Sequence, residues 1–557
     1  MSGNKGYTLV EVLAVLILLA IIFSIATPRM LDSIDESKKA AFKVSSNSIM
    51  NQLQKTYAKG EIEVPSSGKL YVIENNAFVG ESININGVLP DSGIIHISKD
   101  GEVVFSLYKE DYCAVKDIGQ DTITVSNNYA ACIINIPQPV SQDCFSRVDD
   151  GVQVTITDYD NSCPKNVIIP DTLDGLPVRI IAPMAFYGNQ LTSVVLPSTL
   201  KIIRQQSFQG NLFTKLVIPN GVTTIEIWAF IYGRIIDLVI ADSVTNIGFR
   251  AFENNNIKTI KFSSNLSEIR EEVFAHNDIE NLIIPNNIQK ISFGAFGYNP
   301  LKTIDIGSGL NEFNYSSGQY SSNNANVFSM SDDLQITISP LNQYFVALNG
   351  GIYSKDMKEI VFGTPSVANN IPSQVETIGI RAFSNMNTEN LILSGNIKTI
   401  KSEAFYTNNI SNLVISEGTT EIMNGAFYGN QISNLSIPTS VIKIGTLAFN
   451  NNKLPDNQAF IYDRNPDGSQ DATKLIGYGG AKKNGIVIPT SVNTIKYGAF
   501  YYSGISSITI PNTVHTIEDM AFYLNNLSSI TIPNTVTFIG QSVFSRNNLT
   551  SIVLPES

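Results

Sequence analysis

Charge is scarce in this 557-residue sequence: Asp, Glu, Lys and Arg together make up 15%, and the balance is acidic, at a formal −12. An acidic chain without any Lys/Arg cluster is not expected to bind nucleic acid. Histidine occurs three times, as His96, His276 and His515. His96 stands alone in a strand-like run, so it reads as structural. His276 and His515 fall in variable columns of a repeat described below. No Gly-rich phosphate loop follows a strand, and no Cys-x-x-Cys pair or other metal-ligand spacing occurs. The expectation is therefore a protein with no catalytic residue, metal or cofactor, that is, not an enzyme.

Long apolar runs are equally rare, and the one present opens the chain. Tyr7 to Ala26 is 20 residues long, and Glu11 is its only charge. At about 1.5 Å per residue a helix of that length matches a hydrocarbon core of about 30 Å. A carboxylate inside such a run costs about 2.5–3.5 kcal/mol, which points to a use for it. The run follows Lys5-Gly6, and Lys5-Gly6-Tyr7-Thr8-Leu9-Val10-Glu11 resembles the type III signal of type IV prepilins and pseudopilins. That resemblance implies cleavage after Gly6 by a prepilin peptidase and methylation of the new N-terminal Tyr7, a place where Phe is commoner. It also implies residence in the membrane before assembly. In the fibre, the N-terminal helix would pack on other pilin subunits, and Glu11 would pair with a neighbour's terminal amine. Each of those charges would then offset the other's burial. Pro28 fits the bend common in that family's long helix. Two plainer readings are a secretory signal cleaved after Ala26 and a simple membrane anchor, and neither needs Glu11.

Beyond Pro28 an amphipathic pattern (Leu31, Ile34, Ala41, Phe42, Ile49, Leu53, Tyr57) predicts helix to about Ala58, ended by Gly60 and Pro65. From 59 to 140 short β runs follow, at Leu70–Ile73, Ile94–Ser98, Val103–Leu107, Tyr112–Val115, Ile123–Ser126 and Ala131–Ile136. Asp100-Gly101 marks a hairpin. A long helix followed by a small antiparallel sheet resembles a pilin subunit. The even set of cysteines in a chain bound for the outside (Cys113, Cys132, Cys144, Cys163) implies disulfides. Three pairings are open. Cys113–Cys132 with Cys144–Cys163 is favoured, because each staples a compact segment. Residues 141–166 read as a linker and a cap containing a hairpin around Val152–Thr157.

From 167 to 557 the sequence repeats. Phenylalanine recurs every 22 residues at 186, 208, 230, 252, 274 and 296, then at 383, 405, 427 and 449, then at 500, 522 and 544. Leu/Ile-x-Ile and Val-x-x-Ile columns move in register with it, and asparagine stands three residues after the phenylalanine in ten of the thirteen units. The unit resembles the BspA-like class of leucine-rich repeats, which implies a β-rich solenoid. The physical account is independent of that name. One unit is too small to bury its own apolar residues, so neighbours stack into a continuous core. The phenylalanines should form an interior spine, and the asparagines should hydrogen-bond backbone inside the coil.

Two interruptions, near 307–371 and 453–484, are expected to be β-hairpin excursions on the solenoid edge. No Leu-Pro-x-Thr-Gly signal occurs, so surface attachment is expected through the N-terminus. Two outward rows are candidate contacts for an unidentified protein or glycan. One is the middle residue of each strand (Val217, Val239, Lys261, Ile283, Val414, Ser436, Thr509, Thr531). The other is the tyrosine after the phenylalanine: Tyr187, Tyr406, Tyr428, Tyr501 and Tyr523. The whole reads as a pilin-like subunit, minor or at a tip, that presents a repeat domain from a bacterial cell surface as an adhesin. The alternatives are a pseudopilin of a secretion or DNA-uptake machine and a secreted repeat protein.

Overall fold

The computed structural model describes residues 35–64, 69–74, 76–79, 83, 85, 88–98, 101–110, 112–116, 122–126, 140–314, 326–328 and 333–554. It divides into two units: Met1–Ser141 with Pro164–Pro170 and Ser193–Val195, and Gln142–Cys163 with Asp171–Thr192 and Leu196–Ser557. The expected membrane segment lies outside the described residues. Among those described, no helix is long and apolar enough to cross a membrane.

In the first unit residues 35–58 are helical. Phe42, Ile49, Met50 and Leu53 share one face and are buried, whereas Ala41, expected on that face, is exposed. Asp35 and Lys39 pair one turn apart on the polar side at 2.6 Å. The helix ends as its glycine requires. Gly60 takes a φ of +72°, its N–H reaches the Tyr57 carbonyl at 2.8 Å, and the Glu61 N–H reaches Thr56 at 3.1 Å. These are the paired bonds of a Schellman stop.

The buried helix face shares a core with one face of an antiparallel sheet, including Tyr71, Ile73, Ile95, Ile97, Phe105 and Leu107. Its strands run in the order Ala77–Val79, Lys69–Glu74, Ser92–Ile97, Val103–Lys109, Tyr112–Lys116 and Thr124–Ser126. The short strand Ala77–Val79 has no apolar alternation to announce it. The strand expected at 131–136 lies outside the described residues.

The second unit opens with the antiparallel pair Phe145–Asp149 and Val154–Tyr159 and the Cys144–Cys163 disulfide. Cys113 of the first unit is also disulfide-bonded, and Cys132 lies outside the described residues. From Leu176 onward each repeat adds a strand to one parallel ladder, and most add one to a second. The partners stand one repeat apart, as in Lys215↔Asp237, Ile218↔Ile240 and Thr224↔Asn246. Alternation in strands such as Lys215–Ile218 points Leu216 and Ile218 into the core.

Between the ladders the phenylalanines stack. Phe186, Phe208, Phe230, Phe252, Phe274, Phe296 and Phe328 follow one another at 4.8–6.0 Å with nearly parallel rings. Tyr159 continues the stack onto the cap at 5.2 Å from Phe186. Phe383–Phe449 and Phe500–Phe544 form further stacks at 5.0–5.6 Å.

The first interruption departs from the expected hairpin excursion, and the second is a hairpin as expected but one built into the ladder rather than set on its edge. In the first, Gln335–Ile338 pairs in parallel with Thr303–Ile306, and Phe328 bridges to Phe296. It therefore contains a further turn of the solenoid. Here 32 residues separate Thr303 from its partner Gln335. A three-stranded meander follows (Phe345–Leu348, Gly351–Ser354, Glu359–Gly363), and its last strand joins the ladder beside Thr377–Ile378. In the second, Phe460–Arg464 and Gln470–Tyr478 form a hairpin whose second strand pairs with Thr494–Ile495. The physical reason is the same in both. Each interruption brings its own apolar residues (Phe328, Ile352, Ile360, Phe362; Ile461, Leu475, Ile476), and all of these are buried. They could not hang off an edge in water.

Candidate binding surface

The processing and assembly residues Gly6, Tyr7, Glu11 and Pro28 lie outside the described residues. What the structure does place is the surface of the repeat unit. Each repeat turns a corner around its phenylalanine, and two residues per corner take a left-handed backbone: the second before the phenylalanine (Met184, Gln206, Trp228, Arg250) and the second after it (Gly188, Gly210, Tyr232, Asn254). Left-handed backbone is easy for glycine and costs other residues about 1–2 kcal/mol. The corners persist because asparagine ties them down. Asn211 donates Nδ2–H to the carbonyls of Phe186 (2.7 Å) and Phe208 (2.9 Å), and its Oδ1 accepts the Leu191 N–H (2.9 Å). Asn255, Asn277, Asn299, Asn430, Asn452, Asn525 and Asn547 make the same three contacts in their own repeats. The corner is therefore rigid, and the side chains around it are held at one-repeat intervals.

Of the five nominated tyrosines, Tyr187 is 47% exposed, Tyr406, Tyr501 and Tyr523 are half-buried, and Tyr428 is only 8% exposed. The expectation of an exposed row fails at Tyr428, whose ring stacks under Tyr406 at 5.1 Å. Tyr501 and Tyr523 stack likewise at 5.4 Å. Burial pushes the phenols of Tyr406, Tyr428 and Tyr501 up, with neighbouring phenols adding to it at Tyr428 and Tyr501, so all three stay neutral near neutral pH. Tyr502, which the recurring columns do not single out, is 53% exposed beside them.

A second group occupies earlier corners. Arg250 Nε donates to Glu272 Oε2 at 2.6 Å and lies 3.3 Å from Glu253, and both carboxylates are buried. Burial pushes Glu253 up to about 7, opposed by Arg250 and reinforced by Glu272. The His276 and Tyr298 rings stack at 4.1 Å. His276 is held below its usual value, first by burial and then by Arg250. Among the described residues no group of three or more His, Cys, Asp or Glu is placed to hold a metal ion. The strand row is in place too: Ile283 is 68% and Val414 51% exposed, with Val217 and Val239 half-buried.

Comparison with known proteins gives two family matches. The model described as BspA type leucine rich repeat region matches residues 157–277, 229–336, 363–457 and 478–557, and that for the prokaryotic N-terminal methylation motif matches residues 1–27. No curated protein matches. Among solved structures, the pneumococcal vaccine antigen PcpA is 18% identical over 75% of this chain and 99% of its own, with a TM-score of 0.41. A leucine-rich repeat protein from Eubacterium ventriosum is 20% identical over 72% and 92%, with a TM-score of 0.36. One from Bacteroides ovatus is 14% identical over 75% and 87%, at 0.27.

Proposed function

The chain belongs to the BspA type leucine-rich repeat family and carries a prokaryotic N-terminal methylation motif, and on that premise we propose that it is a type IV pilin-like subunit displaying the repeat unit at a bacterial cell surface. The observation that carries the reading is the joining of that motif, at residues 1–27, to the repeat solenoid. In this reading a prepilin peptidase cuts after Gly6, and Tyr7 becomes the methylated N-terminus. The Tyr7–Ala26 helix leaves the membrane for a bundle in which Glu11 meets a neighbour's amine. The helix over 35–58 and its sheet serve as the pilin head. The solenoid is large beside one helix, and helices in a dense fibre must pack closely, so the subunit is a minor or tip component rather than the main one. It works as an adhesin, by binding rather than by catalysis.

The deciding experiment is the N-terminal residue and mass of the mature protein from its native cell. Methylated Tyr7 is expected. Thr27 would mean an ordinary secretory signal, and an intact Met1 a simple anchor; either overturns the pilin reading. Immunogold labelling then separates surface fibres or tips, as proposed, from the envelope-confined complexes of a pseudopilin.

A further inference from the structure

One turn of the solenoid holds the next by three routes: stacked rings, paired strands and a backbone bond at the corner. In the turns before the second interruption all three are in place. Phe383, Phe405, Phe427 and Phe449 stack at 5.2–5.3 Å. The N–H groups of Phe383, Phe405 and Phe427 reach the carbonyls of Ala404, Ala426 and Ala448 at 2.8–2.9 Å. Thr377–Ile378, Thr399–Ile400, Glu421–Ile422 and Lys443–Ile444 pair in parallel. At Phe449 all three routes stop. Among the described residues no ring contact joins Phe449 to Tyr478, no such bond leaves the Phe449 N–H, and Lys443–Ile444 is the last strand of its sheet. We propose that the second interruption is a joint, beyond which residues 459–554 open as a separate cooperative block while the turns from Phe383 to Phe449 stay folded.

The packing divides at the same place. Leu454, Ile461 and Ile476 belong to the core of Phe383–Phe449, and Ala459, Leu475 and Tyr478 to that of Phe500 and Phe522. The strand Gln470–Tyr478 is thus a wall between two cores. Side-chain and loop bonds cross it. The Leu454 N–H reaches the Gly479 carbonyl (3.0 Å), and the Ala481 N–H returns to the Leu454 carbonyl (3.1 Å). Asn450 Oδ1 accepts the Tyr478 N–H (3.2 Å), and its Nδ2–H reaches the Ala499 carbonyl (3.0 Å). The other ladder is closed off as well. Where the Ile486 N–H reaches the Ser507 carbonyl of the next turn at 3.2 Å, the corresponding Leu435 N–H is taken by Gln458 Oε1 at 2.9 Å.

Two other breaks each keep a route. Strand pairing also stops between Asn246–Ile247 and Glu268–Ile269, yet Phe252 and Phe274 stack at 5.6 Å and the Phe252 N–H reaches the Val273 carbonyl at 3.0 Å. Across the first interruption Phe328 meets Phe362 at 5.5 Å, Phe313 meets Phe345 at 5.2 Å, and Glu359–Gly363 pairs with Thr377–Ile378. Stability of a repeat array is the sum of its turns and of the contacts between neighbours, so cooperativity divides where those contacts are fewest. Beyond the joint the stack holds only Tyr478, Phe500, Phe522 and Phe544, so this block opens first. The joint lets a displayed solenoid yield to a pull without losing its remaining turns, and it stands on the packing whether or not the pilin reading holds.

The test is amide hydrogen exchange of the full chain in non-ionic detergent micelles, read by mass spectrometry at increasing urea. The amides of Phe500 and Phe522 should lose protection together, and at lower urea than those of Phe383, Phe405 and Phe427. Tyr478→Ala removes a buried ring at the wall and should speed exchange at Phe500 and Phe522 about 100-fold or more, while Phe427 stays within about twofold. Even if this variant leaves 459–554 unfolded, Phe427 should keep its protection. Phe405→Ala is the control within one block and should speed exchange at both Phe383 and Phe427. A single loss of protection common to both blocks, the reverse order of opening, or spread of the Tyr478→Ala effect to Phe427 overturns the joint.

Discussion

Asn430 is completely buried, and its amide serves two successive turns. Nδ2 donates to the carbonyls of Phe405 (2.9 Å) and Phe427 (3.0 Å), and Oδ1 accepts the Ile410 N–H (3.1 Å). Asn430→Leu keeps the branched outline and strips all three bonds, leaving the Phe405 carbonyl and the Ile410 N–H dry and unpaired, whereas the Phe427 carbonyl keeps its bond from Asn452 at 3.0 Å. Each such group costs about 1–3 kcal/mol, so the turn should lose at least about 2 kcal/mol. A repeat array need not unfold in one step, so denaturation has to be read together with amide hydrogen exchange. Exchange at Ile410 and its neighbours should accelerate about 30-fold or more, while the turns around Phe208 and Phe230 keep their protection. A loss below about 1 kcal/mol, or acceleration spread evenly over the chain, would refute the ladder as the element holding the corners. Asn430→Asp supplies the sign. Its ionised form aims a carboxylate oxygen at two carbonyls, so its folded-state pKa must rise above the unfolded value of about 4. Its stability should be fully present below pH of about 4 and be lost as pH rises through the folded-state pKa.

Phe427→Ala, in a fully buried ring between Phe405 and Phe449 (5.3 Å each), should cost about 3–5 kcal/mol in denaturant melts, against about 0.5 kcal/mol or less for the exposed Tyr187→Ala. Glu253, raised by burial from an ordinary 4.5 to about 7, contributes stability that is present below pH of about 4.5 and lost as pH rises through about 7. Thermal midpoints should therefore fall across that window, and Glu253→Gln should flatten the slope. Glu11→Ala should leave cleavage after Gly6 intact and reduce incorporation into fibres; normal incorporation, measured by immunoblot of sheared filaments, would remove its pairing role.

The columns that recur are legible because every turn offers the same slot. A phenylalanine stack and an asparagine ladder are the two ways such a slot can be filled repeatedly without leaving a void or a dry amide. The way the interruptions join the ladders is harder to read because their inserted residues do not share the period, although their signals are present. Asn326-Val327-Phe328 follows the pattern of Val273-Phe274, and Tyr478 stands 22 residues before Phe500 with a tyrosine in place of phenylalanine. Residues displaced by ten extra positions still had a core to find, and burial of Phe328 and Ile360 drew them into the ladders.

The surface failed to show itself for a different reason. Tyr428 shares its column with Tyr187, yet one is covered by Tyr406 and the other is open, because the cover comes from the neighbouring turn rather than from the residue itself. The sequence does not mark out Tyr502, because its column holds Gly188, Asn254, His276 and Leu524 as readily as tyrosine. In a solenoid the recurring columns are consumed by stacking, so whatever distinguishes one such protein from another must lie in columns that do not recur.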